Sequence, residues 1–207
     1  MFLAAALSIL ALTAGPHIDN PYWPMKPGTR WVYREGAQRI VVSVTHRTKR
    51  VASGVTARVV HDRATEDGLL VEDTFDYYAQ DARGNVWYLG EDTTEYDHGT
   101  PVSKEGSWEA GVDGARAGII MLARPRVGRR YREERYPGHA MDGAKVLSRS
   151  EQVEVPFGHF RRVLMTKNFN PLEPRVLEYK WYARGVGPVL ELGVSGGHDR
   201  AVLLRYG

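Results

Sequence analysis

The sequence predicts an all-β fold: a single-domain antiparallel meander, barrel-like in the manner of a lipocalin or half-barrel, with one long irregular loop. Three observations carry this. Apolar residues recur at every second position through roughly ten short runs between Thr29 and Tyr206. Turn clusters rich in Gly, Pro, Asn and Asp separate those runs. No stretch keeps a helical period over the length of an amphipathic helix. The 207 residues suit one such domain, and no linker or fixed-period repeat divides them.

The chain begins with MFLAAALSILALTAG, residues 1–15, an unbroken apolar run of signal-peptide length that is too short to span a bilayer. It predicts an export signal, and hence a secreted, extracytoplasmic protein with no stable membrane insertion. Residues 16–28 carry four prolines and predict an extended lead-in to a β domain over residues 29–207. Trp31, Val32 and Tyr33 alternate in the first strand. Ile40, Val42 and Val44 mark one face of the second strand, and Val55, Ala57 and Val59 mark one face of the third.

Residues 73–92, DTFDYYAQDARGNVWYLGED, form the strongest hairpin signal. With Gln80 paired to Val86, Phe75, Tyr77, Ala79, Trp87 and Leu89 share one face; Asp76, Tyr78, Tyr88 and Gly90 share the other. Gly84 or Asn85 supplies the positive φ that the short loop needs. Regular alternation then fails over residues 93–123, where Gly99, Pro101, Gly106, Gly111, Gly114 and Gly118 punctuate the chain. A loop or series of short turns is expected there, with room for one helical turn near Ala115. Long loops in compact domains often border a site. Strand signal returns over residues 129–136, 144–155, 163–169, 176–183, 188–194 and 201–206.

The formal net charge of +3 conceals a segregation of charge. Residues 62–109 hold 13 acidic and 3 basic residues, whereas residues 116–135 hold seven arginines against Glu133 and Glu134. Neutralisation of one block by the other is the expected arrangement. An acidic centre argues against nucleic acid as a partner. With no cysteine, the chain has neither a disulfide framework nor a lipid-bearing thiol.

Several blocks resemble a recurrent pattern of secreted and lipid-anchored bacterial proteins of undefined function. They are YWPMKPGTRWVY (22–33), DYYAQDARGNVWYLGED (76–92), EGSWEAGVDGARAGIIM (105–121), VEVPFGHFRRVLMT (153–166) and EYKWYARGVGPVLEL (178–192). The resemblance implies an exported β-meander and carries no catalytic residues with it. Lipid-anchored members have a cysteine after the signal, which this chain lacks.

None of the seven histidines falls in a metal-binding spacing, and no nucleophile elbow or phosphate-cradling loop is present, so no cofactor or metal is expected. What remains is a surplus of aromatic residues around a sheet, which suits a cavity or groove for a small apolar or aromatic ligand, or for a partner segment. The candidate ligand-binding residues are Tyr78, Trp87, Tyr88, Trp108, Glu109 and His139, with residues 93–123 as the rim. A non-catalytic binding or carrier-type domain is the leading reading. A secreted hydrolase using His98, His139 and Glu109, and an envelope structural protein with no small-molecule site, are the alternatives.

Overall fold

The computed structural model describes residues 14–197 and 199–207. The expected export signal falls on residues 1–13 for all but its last two positions, and so lies outside the described residues. The strands in chain order are β1 (Ala14–Gly15), β2 (Arg30–Glu35), β3 (Gln38–Arg50), β4 (Thr56–Glu66), β5 (Leu69–Asp81), β6 (Val86–Asp97), β7 (Thr100–Ser103) and β8 (Trp108–Glu109). They continue as β9 (Arg116–Met121), β10 (Arg130–Arg132), β11 (Glu134–Arg135), β12 (Gly143–Val155), β13 (Gly158–Phe169), β14 (Leu177–Ala183), β15 (Gly187–Ser195) and β16 (Arg200–Tyr206). Among the described residues there is no helix.

Strand pairing is antiparallel throughout, and thirteen strands follow the lateral order β10-β12-β13-β14-β15-β16-β2-β3-β4-β5-β6-β9-β11. Chain neighbours are mostly sheet neighbours, as short connections dictate. The two ends of this path, β10 and β11, are consecutive pieces of one segment separated only by Glu133. β10 pairs with β12 while β11 pairs with β9, so the sheet curls until it is nearly closed into a barrel. At this seam Gly118 lies against the backbone carbonyl of Glu133, where any side chain would collide. Closure leaves few unpaired edges to recruit another chain.

Near its turn the hairpin of residues 73–92 has the expected register, with Gln80 paired to Val86, Ala79 to Trp87 and Tyr78 to Tyr88; beyond Tyr78 the register shifts by one, so Glu91 instead of Gly90 faces Asp76. Gly84 takes φ +89°, and the Asp81 carboxylate accepts the backbone N–H groups of Arg83 and Asn85 to fix the turn. The irregular residues 93–123 resolve into the end of β6, the short strands β7 to β9, and turns. Near Ala115 two reciprocal turns replace the expected helical turn: Gly111 N–H donates to the Ala115 carbonyl, and Ala115 N–H donates to Val112.

The lead-in, residues 16–28, is bent back and packed. Ile18, Asn20, Tyr22 and Met25 are buried. Trp23 touches both Tyr78 on β5 and Tyr182 on β14, each with ring centroids 5.9 Å away. Gln80 accepts the N–H groups of Asp19 and Asn20, Asn20 donates to the Gly84 carbonyl, and Gly185 N–H donates to the Pro21 carbonyl. These contacts tie the lead-in to the turns β5–β6 and β14–β15, so it closes one end of the barrel as a plug.

The expected neutralisation between charge blocks does not occur. Among the described residues none of the seven arginines of residues 116–135 takes part in an ion pair, and all seven are exposed. The physical reason is the face each block occupies. Many acidic residues of β4 to β6 point into the barrel, whereas the arginines of β9 to β11 and their connections point out to water.

Candidate functional site

Period-two alternation on neighbouring strands puts one set of side chains inside the barrel. On β2 these are Trp31, Tyr33 and Glu35, opposite Val42, Ile40 and Gln38 of β3. Val42 in turn faces Asp62 of β4, Val60 faces Asp76 of β5, and Asp76 faces Glu91 of β6. Across the other side, Lys180 of β14 faces Glu191 of β15, which faces Ala201 of β16, which faces Glu35.

These side chains wall a cavity of about 230 Å³, the volume of roughly eight liquid-water molecules. Trp23, Pro24 and Met25 of the plug form its floor with Trp31 and Tyr78; Glu35, Ile40, Asp62, Glu191 and Ala201 lie toward the Gly36-Ala37 turn. Tyr33, Glu35, Ile40, Val42, Asp62 and Ala201 all keep partial exposure, so the cavity communicates with solvent. Its surface is predominantly apolar, with a few convergent polar groups, which is the usual character of a small-molecule site.

The electrostatics inside are lopsided. Burial pushes Asp62 and Asp76 up to about 7, each helped by neighbouring carboxylates; the Tyr88 hydroxyl, donating to Asp76 at 2.7 Å, works against the shift. Burial raises Glu91 to about 7 as well. An inward cation, Lys180, has its ammonium 2.9 Å from Glu191 and 3.4 Å from Glu178. Burial acts to lower the Lys180 pKa, but those two carboxylates more than offset it and hold the ammonium well above its ordinary value. At the seam, Glu133 and Glu134 are each pushed by burial to about 8. Glu133 accepts from the Asn168 amide at 2.8 Å, and its other carboxyl oxygen is buried with no partner among the described residues.

Three of the six sequence-predicted residues come together. Tyr78 and Tyr88 stack at 4.9 Å, and Trp108 meets Tyr88 edge-on at 5.4 Å, because Trp108 pairs with Glu91 and shares its inward face. Tyr78 lines the cavity, and the other two extend from it as a buried aromatic stack. The remaining three lie elsewhere. Trp87 is on the outer face, donating to Asp81 at 3.0 Å. Glu109, one position along from Trp108, also points outward; it accepts from Ala52 N–H at 2.6 Å and pairs with Lys49 at 2.7 Å. His139 is an exposed turn residue stacked on Tyr136 at 4.3 Å. Among the described residues no hydrogen bond or ion pair joins any two of His98, His139 and Glu109.

Sequence reasoning missed Trp23, Trp31, Tyr33, Glu35, Asp62 and Glu191 as cavity residues. A signal was present in Asp62, which breaks an otherwise apolar alternation between Val60 and Ala64. The folding-back of the plug has no such local signal.

Fold and site together define a class: a plugged, nearly closed antiparallel β-barrel with an acidic, aromatic-walled interior cavity. No family model matches the chain, and no curated protein matches it. Among solved structures, the chain is similar to a candidate lipoprotein from Parabacteroides distasonis ATCC 8503, with a TM-score of 0.50 and 14% identity, covering 90% of this chain and 98% of that one. It also matches a candidate exported protein with a YmcC-like fold from Bacteroides fragilis NCTC 9343, with a TM-score of 0.40 and 15% identity over the same shares of the two chains. At this identity the first likeness is one of fold.

Proposed function

We propose that this protein is an extracytoplasmic, non-catalytic binding domain that holds a small apolar or aromatic ligand inside its barrel. The observation that carries the reading is the cavity: about 230 Å³, walled by Trp23, Trp31, Tyr33 and Tyr78, floored by the plug and in communication with solvent. Two further points support the extracytoplasmic setting. The apolar residues 1–15 have the character of an export signal, and the similar Parabacteroides distasonis structure is that of a candidate lipoprotein. The motif resemblance to secreted and lipid-anchored bacterial proteins agrees with both.

The test uses native mass spectrometry of the purified chain, together with thermal shifts against a panel of small aromatic compounds. A retained molecule, or a compound that raises the Tm, supports the reading when the Val42→Phe variant abolishes the effect. Val42 faces the cavity, so the larger ring fills the space while the strand keeps its β-forming side chain. Failure of every compound to bind, with nothing retained, overturns it.

A further inference from the structure

We propose that the ligand of this cavity is a small organic cation: an apolar or aromatic body carrying an ammonium group. The inference rests on the reading that the cavity is a ligand site, and goes beyond it by assigning the charge.

Among the described residues four carboxylates line the cavity, Glu35, Asp62, Asp76 and Glu191, and no Lys, Arg or His does. Glu191 and Glu35 flank Ala201 in one lateral row across β15, β16 and β2, while Asp62 and Asp76 sit diagonally on β4 and β5. Lys180, from the next strand, meets Glu191 and Glu178; among the described residues no basic side chain pairs with Glu35, Asp62 or Asp76. Carboxylates withdrawn from water without a counter-charge cost free energy, and a positive ligand removes that cost where a neutral one does not.

The rest of the lining says what kind of cation. Trp23, Trp31, Tyr33 and Tyr78 offer aromatic faces, which attract ammonium groups as well as apolar bodies, and Met25, Ile40, Val42, Val60 and Leu190 complete an apolar wall. A bare metal ion has no use for such a surface, and among the described residues no cluster of three or more His, Asp or Glu residues is arranged to hold one. An anion would meet repulsion from every charged group of the lining. The chemistry left is an organic ammonium, its charge beside Asp62, Asp76 and Glu35 and its apolar part toward the plug.

Calorimetric titration of the full chain with phenylethylammonium, phenylethanol and phenylacetate tests this. The ammonium is expected to bind about tenfold or more tightly than the alcohol, and the carboxylate not at all. Asp62→Asn and Glu35→Gln, near-isosteric changes checked for folding by circular dichroism, should each weaken the ammonium several-fold and by a larger factor than the alcohol. Alcohol bound as tightly as ammonium, with Val42→Phe abolishing both, overturns the cation assignment while leaving the cavity a ligand site. Ammonium binding that survives Val42→Phe is surface attraction and also overturns it. No binding by any of the three overturns the assignment and the ligand-site reading together.

Discussion

The Tyr88 hydroxyl donates a 2.7 Å hydrogen bond to Asp76, joining the buried aromatic stack to the acidic side of the cavity. Both residues are more than nine-tenths buried, so the bond compensates a carboxylate that water reaches poorly. Tyr88→Phe keeps the stacking on Tyr78 and removes only the donor. The expected loss is about 1–3 kcal/mol of unfolding free energy, read from the urea midpoint. An unchanged midpoint at neutral pH would mean that Asp76 is satisfied without Tyr88.

Glu109 anchors a neighbouring loop. Its two carboxyl oxygens hold Ala52 N–H and the Lys49 ammonium, and that ammonium lies 4.0 Å from the Tyr77 ring centre. Together they keep Val51 and Val55 over the outer face of β4 to β6, where Ala57, Val59, Tyr77 and Ala79 are buried. Glu109→Ala should cost about 1–3 kcal/mol, since a charge-assisted bond is lost and a backbone donor is left without its acceptor. Ligand uptake should persist. Loss of uptake at unchanged stability would return Glu109 to the binding residues.

The contrast between Trp108 and Glu109 shows how much was legible in the sequence. Period-two alternation sets strand order and the faces of the central hairpin, because each such strand buries one side locally; Tyr78 and Tyr88 follow from that. Trp108 and Glu109 lie in a stretch without alternation, and opposite outcomes for adjacent residues depend on a two-residue strand pairing with Gly90 and Glu91. The cavity floor was hidden for a different reason. Trp23 reaches Tyr78 and Tyr182 across long separations in the chain, and four prolines indicate what conformation residues 16–28 avoid, not where they pack.

That same pairing requires a glycine. Gly90 has φ +129° and sits against the Trp108 backbone carbonyl, at the irregularity where the register between β5 and β6 shifts after Asp76. A methyl group there meets backbone, which cannot swing aside, in a conformation side-chain-bearing residues avoid. Gly90→Ala should therefore lose about 1–3 kcal/mol or more and displace Trp108, seen as a shift in tryptophan fluorescence. Gly99→Ala, with open space around it, is the control and should lose less.

The raised carboxylates make both stability and ligand binding depend on pH. In the folded chain burial holds Asp62, Asp76 and Glu91 protonated up to about 7 and Glu133 and Glu134 up to about 8; unfolded, they release their protons near pH 4. Between those limits the folded state binds more protons than the unfolded state, so stability falls as pH rises and levels off once all five have ionised. The ligand-free chain should thus melt several degrees lower at about pH 8.5 than at about pH 5.5, and Glu133→Gln should flatten the slope. A cationic ligand acts in the opposite direction. The groups facing it are Glu35, Asp62, Asp76 and Glu191, with Glu91 beside Asp76, Lys180 beside Glu191, and the hydroxyls of Tyr33, Tyr78 and Tyr88. As Asp62 and Asp76 ionise through about 7, phenylethylammonium should bind more tightly and restore more of the lost Tm at the higher pH, while phenylethanol responds equally at both. Equal stabilisation by the ammonium at both pH values would show that the cavity carboxylates do not meet its charge.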